Sequence, residues 1–210
     1  INSEELYASY CWDLIPTISG IREALICNNI AEKNSKKFDI HLKFDTGMTR
    51  LGCDLSQVLE LISKIDYLEN ISLKGIYSHL AIADSDQREN THKNFTQVQL
   101  NRFEKVLNDL GKRKKSICKH LANSAGTLLN SSLHFDMVRV GLSLYGYFPV
   151  NDFESELKLM PALKVKARVT LIRHVEKGIG VGYGHFFKTQ RKSKLAVVAI
   201  GYADGVSRAL

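Results

Sequence analysis

Long apolar runs are missing from these 210 residues: the longest, such as Leu195 to Ile200, fall far short of the ~20 residues a membrane helix requires. No transmembrane segment is expected. The four cysteines, Cys11, Cys27, Cys53 and Cys118, lie far apart, with neither a CxxC pair nor the Cys/His spacing of a metal centre. A disulfide framework and a bound metal are thereby excluded. Nothing resembling a secretion signal precedes them, so they read as reduced thiols of a cytoplasmic protein. Internal repeats and low-complexity segments are also lacking. The net charge of +7 reflects 29 basic against 22 acidic residues. Its one dense cluster, Lys112-Arg113-Lys114-Lys115, carries no interleaved aromatics and reads as a solvated turn, which argues against a nucleic-acid partner.

What is present is an ordinary globular composition, 44% hydrophobic and 24% charged. Between Ile15 and Leu144 short apolar runs alternate with helical patterns, the rhythm of βα units and a parallel sheet. About five runs end near Ile18, Phe44, Tyr77, Leu121 and Val140. Phe38, Ile40, Leu42 and Phe44 share one face of a strand, with Asp39, His41 and Lys43 on the other. Asp54 is placed to cap a helix whose stripe is Leu55, Val58, Leu59, Ile62 and Ile65. Thr96 to Gln99 reads as a capping box, followed by Phe103, Val106, Leu107 and Leu110 and a stop at Gly111. From Pro161 the rhythm changes: Leu163 to Ile172 alternates, a glycine-rich stretch follows, and Leu195 to Ile200 is β-rich. Two domains are expected, 1–155 and 156–210, joined through the stretch from Pro149 to Pro161 with its acidic Asp152, Glu154 and Glu156.

In a βα-repeat protein the functional residues gather at the carboxyl ends of the strands. That rule collects Lys43, Asp45 and Thr46; Ser78 and His79; Asn123 and Ser124; Arg139 and Gly141. Asn123-Ser124-Ala125 offers a hydroxyl and amides at a helix start, and Arg139-Val-Gly141 offers a cation and an approachable backbone; both suit a phosphate. Barrels often place phosphate on the loops of strands seven and eight. Counting back from there, roughly three strands of an eight-stranded barrel are not seen.

The segments His41-Leu-Lys-Phe-Asp-Thr-Gly-Met-Thr-Arg-Leu-Gly52, Tyr77-Ser-His-Leu-Ala81, Ala122-Asn-Ser-Ala125, Met137-Val-Arg-Val-Gly141 with Leu144-Tyr-Gly146, and Gly201-Tyr-Ala-Asp-Gly205 together resemble the ordered motif set of the alanine racemase family. The resemblance runs from about Pro16 to the final residue. It implies an α/β fold, the C-terminal part of a TIM-type (β/α)8 barrel that binds pyridoxal 5'-phosphate, followed by the start of an all-β domain. It also implies a cytoplasmic homodimer that shares its active sites between subunits and makes D-alanine for peptidoglycan. The family's cofactor lysine, in a motif of the form Lys-Ala-(Asn/Asp)-Ala-Tyr-Gly-His-Gly, is not found in these 210 residues. The chain is therefore expected to be part of a longer one, unstable and inactive by itself.

By resemblance Tyr202 is one of two bases at Cα and acts in the partner subunit's site. His79 bonds to that tyrosine and to Arg139, and Arg139 reaches the pyridine nitrogen. Ser124, with the Gly141 and Leu142 amides, is assigned to the phosphate. Arg50 is assigned to the cofactor's phenolic oxygen and to the substrate carboxylate. Lys43 is a candidate for carbamylation that would orient Arg50. Two alternatives stay open: a racemase of broad specificity, and a non-catalytic pyridoxal-phosphate barrel protein, against which the segment from Pro161 to Leu210 argues.

Overall fold

The alternation at Phe38, Ile40, Leu42 and Phe44 is realised as a strand with one sealed face: all four side chains are buried. The structure, a computed structural model, describes residues 2–84, 95–150 and 157–207. It divides into two compact units, Ile1–Ala162 and Leu163–Leu210. The acidic residues Asp152, Glu154 and Glu156 lie outside the described residues.

In the first unit the elements run α1 (Ser3–Cys11), β1 (Thr17–Ile18), α2 (Ile21–Lys33), β2 (Phe38–Lys43), α3 (Val58–Asp66), β3 (Ile71–Tyr77), α4 (Phe95–Asp109), β4 (Cys118–His120) and α5 (Ser124–Leu129). The four strands form one parallel sheet in the order β1-β2-β3-β4. Helices α2, α3 and α4 supply the side chains that cover the apolar face of β2 and β3.

Four expectations for the first unit are corrected. The fifth apolar run, ending at Val140, forms no strand: it lies beside β4 through a single bridge, His120 to Met137, and through the Asp136 and Arg139 amides, which bond to the Lys119 and Ala122 carbonyls. A ladder this short does not hold a strand. The stripe of the third helix is also rotated. A 3-10 turn, Leu55–Gln57, precedes α3, and the buried face is Val58, Leu61, Ile62 and Ile65, leaving Leu59 42% exposed. Asp54 makes no side-chain cap there. Each buried aliphatic contributes about 1.5–3 kcal/mol, more than the ~1 kcal/mol of a missing cap, so packing sets the helix phase. Gln99 does not close a capping box but reaches across to the loops after β2 and β3.

Two glycines have a structural reason. Residues His41 and Gly75 pair across β2 and β3 at a register shift, and a Cβ on Gly75 would sit 2.6 Å from His41 Nε2. Gly146 holds φ +87° where its α-carbon presses on the Met160 and Pro161 backbone, and next to it the Ala162 amide donates to the Tyr145 carbonyl at 3.0 Å.

The second unit is antiparallel: β5 (Val169–Val175) pairs with β8 (Ser193–Val198), and β6 (Gly180–Val181) with β7 (Phe187–Lys188). The strand expected from Leu163 starts only at Val169, where pairing with Val198 begins. Alternation alone does not make a strand without a neighbour to pair with.

Candidate functional site

The carboxyl ends of β2, β3 and β4, together with residues 139–143, bring the expected residues of the first unit to one end of the sheet. Lys43 is the last residue of β2, only 5% exposed, and its Nζ donates to the Leu51 carbonyl at 2.5 Å. Burial holds its ammonium below the usual lysine range, helped by Arg50 and Arg139 and opposed by Asp45. Asp45 is occupied structurally: its carboxylate accepts the amides of Gly47, Met48 and Thr49, each at 2.8 Å, and so shapes the loop that carries Arg50. Arg50 is exposed and acts on Lys43 and His79 through charge.

Behind these loops lies a buried polar lock. Gln99 Nε2 donates to Thr46 Oγ1 at 3.0 Å and to the His79 carbonyl at 2.9 Å, while its Oε1 accepts the Ala81 amide at 2.8 Å. Thr46 Oγ1 shares a 2.8 Å hydrogen bond with Ser78 Oγ. One helical glutamine thus fixes the spacing of two loops, a task visible only after folding.

Arg139 is the most constrained cation. Its Nη1 donates to His120 Nδ1 at 2.6 Å, and its Nη2 donates to the Ser78 carbonyl at 2.7 Å, with His79 Nδ1 and the Leu121 carbonyl at 3.3 Å. The guanidinium lies 4.7 Å from the Tyr77 ring centroid. His79 is kept neutral by burial and by the cations Arg139, Arg50 and Lys43. An arginine can only donate, so His79 Nδ1 is an acceptor and its proton sits on Nε2.

Ser124 opens α5, with Asn123 capping the helix through the Gly126 amide at 2.9 Å. The cap occupies the Gly126 amide and leaves the Ser124 and Ala125 amides out of that bond. Ser124 Oγ accepts the amides of Gly141 at 2.9 Å and Ser143 at 3.3 Å, closing a small cradle in which Leu142 is the exposed middle residue. Among the described residues, the Ser143 hydroxyl oxygen is buried without a hydrogen-bond partner.

Tyr202 belongs to the second unit. It begins a 3-10 turn, Tyr202–Asp204, tightened by Asp204, whose carboxylate accepts the Gly201 amide, and its side chain is 74% exposed. Residues not singled out from the sequence are His41, Tyr77, Gln99 and His120. His120 is the last residue of β4, and that strand-end position is the sequence signal for it. No cluster of histidine, cysteine and carboxylate suited to a metal occurs among the described residues, and no helix there is long and apolar enough to cross a membrane.

Residues 1–149 match the family model for the alanine racemase N-terminal domain, and residues 162–210 match that for its C-terminal domain. The chain is 57% identical to the alanine racemase of Prochlorococcus marinus over all of its length and 54% of that relative's. It is 44% identical to the alanine racemase of Synechocystis over 100% of this chain and 56% of that one. Among solved structures, alanine racemase from Clostridium difficile superposes with a TM-score of 0.83 at 34% identity, covering 99% of this chain and 54% of the other. The alanine racemase of Bartonella henselae, solved with covalently bound pyridoxal phosphate, gives 0.75 at 34% identity, covering 100% and 55%. The chain spans about half the length of the curated relatives it matches. With both parts of it matched in order and the parallel sheet superposing on those structures, the chain belongs to the alanine racemase family.

Proposed function

We propose that the protein containing this chain interconverts L- and D-alanine with pyridoxal 5'-phosphate, as a cytoplasmic homodimer that provides D-alanine for peptidoglycan. Residues 1–155 would belong to its cofactor barrel and 156–210 to the beginning of its β domain. The observation that carries the reading is Arg139, held by neutral imidazoles and carbonyls at the end of the sheet that also presents Lys43 and the Ser124 cradle. Four free thiols, with Cys27 pushed up to about 12 and Cys53 to about 11 by burial, suit a reducing compartment.

The residues fit the cofactor. The buried, unpartnered Ser143 hydroxyl beside Ser124 and Gly141 is a spare polar group where a phosphate would rest. Ser124 with the Gly141 and Leu142 amides would hold that phosphate, and Arg139 would donate to the pyridine nitrogen. When bound, the cofactor supplies an electron sink for the pair left at Cα as its proton departs. Arg139 can donate but does not readily give up its proton, so it would leave the ring nitrogen largely unprotonated and the sink weaker than a carboxylate partner would, limiting side reactions.

Proton transfer needs a base, and a phenol with a pKa near 10 is a poor one at neutral pH (about 7) unless its anion is stabilised. Tyr202 is assigned that task in a partner subunit's site, to which its exposure is suited. His79, with its proton on Nε2, can donate to the phenolate oxygen. Arg50 would orient the substrate carboxylate, with Lys43, as a carbamate, turning from a repelling neighbour into an anchoring one.

Incubating the intact protein with L-alanine and the cofactor, and separating the enantiomers, should yield D-alanine. Other L-amino acids tested in parallel decide between narrow and broad specificity. No D-alanine from the cofactor-loaded protein would overturn the proposal.

A further inference from the structure

We propose that His120 is a positioning residue for Arg139, held in one tautomer between Arg139 and His41, so that the arginine is oriented with no carboxylate counter-ion among the described residues. The inference rests on the proposed role of Arg139, but its core is a statement about protons that the geometry already decides.

At 2.6 Å from Arg139 Nη1, His120 Nδ1 faces a group that can only donate. Nδ1 therefore carries no proton. A neutral His120 must then bear its proton on Nε2, and that nitrogen lies 3.1 Å from His41 Nδ1. His41 accepts it and keeps its own proton on Nε2. The chain runs in one direction, Arg139 to His120 to His41. A second proton on His120 would point at the guanidinium, and one on His41 Nδ1 would point at His120 Nε2–H.

The surroundings agree. His120 is 2% exposed and stacks on Tyr77, ring centroids 4.4 Å apart and planes 15° apart. The Tyr77 hydroxyl is tied to Thr17 at 3.1 Å, so the ring that backs both His120 and Arg139 is fixed at its far end. Gly75 leaves the room in which the His41 ring lies. The charged groups bearing on the chain are Arg139 at one end and, at the other, Asp39 on β2, itself 3.7 Å from Lys74. Burial, then Arg139 and His41, push His120 down to about 3.

A carboxylate in place of His120 would also orient the arginine, but it would neutralise it. A neutral imidazole supplies the acceptor without the charge. Among the described residues no carboxylate bonds to Arg139, and its Nε–H and second Nη1–H make no hydrogen bond. The full positive charge is left to an electron-rich ligand atom.

Nitrogen chemical shifts of the intact, histidine-labelled protein test the tautomer directly. His120 should show Nδ1 unprotonated and Nε2 protonated, unchanged from about pH 8 to about pH 5, where a free imidazole would titrate. Three variants test the positioning. His120→Asn places an oxygen near the Nδ1 position and should keep kcat within about tenfold, whereas His120→Leu should lower kcat about a hundredfold with a smaller change in KM, the cost of a misplaced group. His120→Asp, which adds a counter-charge, should also lower kcat although an acceptor is present. A His120 carrying its proton on Nδ1, or found as an imidazolium near pH 7, would overturn the proposal whether or not the protein racemises alanine. So would an unchanged kcat in His120→Leu or in His120→Asp of an active enzyme.

Discussion

Gly75 and His41 face each other across β2 and β3 so closely that a methyl group on the glycine would meet the imidazole at 2.6 Å. The Gly75→Ala substitution should therefore destabilise by about 1–3 kcal/mol, the range for overfilling a packed site. Introduced into a His41→Ala background, the same change should cost less, with a coupling of about 0.5–3 kcal/mol. Urea unfolding of the four proteins checks this. Equal costs in both backgrounds would show that the ring is not what Gly75 accommodates.

Acid should weaken the first unit through its imidazoles. His41, His79 and His120 all sit below the usual histidine range because burial disfavours the charged form. The unfolded chain takes up these protons near pH 6.5, about one unfolded-state value for all three. Stability is thus complete above that pH and declines below it, through the folded value of about 3 for His120. His120 alone contributes a slope of about 1.4 kcal/mol per pH unit in that window. Comparing denaturation midpoints of the wild type and His120→Asn between neutral and acidic buffer should show a shallower slope in the variant.

Gln99→Leu should be costly out of proportion to its size. It strips partners from the Thr46 hydroxyl, the His79 carbonyl and the Ala81 amide, and each buried group left unsatisfied costs about 1–3 kcal/mol. Thermal unfolding checks the stability loss; a midpoint equal to that of wild type would refute the lock.

These residues mark the limit of what the sequence discloses. The β2 face was legible because a strand's period of two needs no partner to be read, and the strand-end rule placed Lys43, His79, Ser124 and Arg139 at one end of the sheet. The face of α3 was misread at Leu59 and Leu61 because a 3-10 turn shifts the phase, which hydrophobic spacing cannot reveal. Gln99 and His120 escaped notice for a different reason. Gln99 meets Thr46 across 53 positions and His120 meets His41 across 79, and neither spacing leaves a local pattern. Polar groups that serve one another at long range are visible only once the chain has closed.

Tyr202→Phe in the intact protein should slow exchange by about 10²–10⁴, the range for losing a general acid–base group. The loss should be unequal in the two directions of proton transfer when followed by solvent-deuterium incorporation at Cα. Undiminished rates from both enantiomers would remove Tyr202 from the mechanism.

Lys43 should react with carbon dioxide. Its depressed affinity for a proton raises the share of neutral amine, the form able to add to that electrophile. Labelled bicarbonate should give a carbamate carbon signal in the intact protein that Lys43→Arg lacks, and no signal in the wild type would exclude the modification.

The crossing at Gly146 has a consequence for how such chains can vary. Because its backbone is pressed against Met160 and Pro161 while Tyr145 grips Ala162, the last residues of the first unit are fixed to the turn that ends at Gly146. A side chain at Gly146 would meet the Met160 carbonyl and push that contact apart. The crossing thus admits a hydrogen atom at this position and nothing larger.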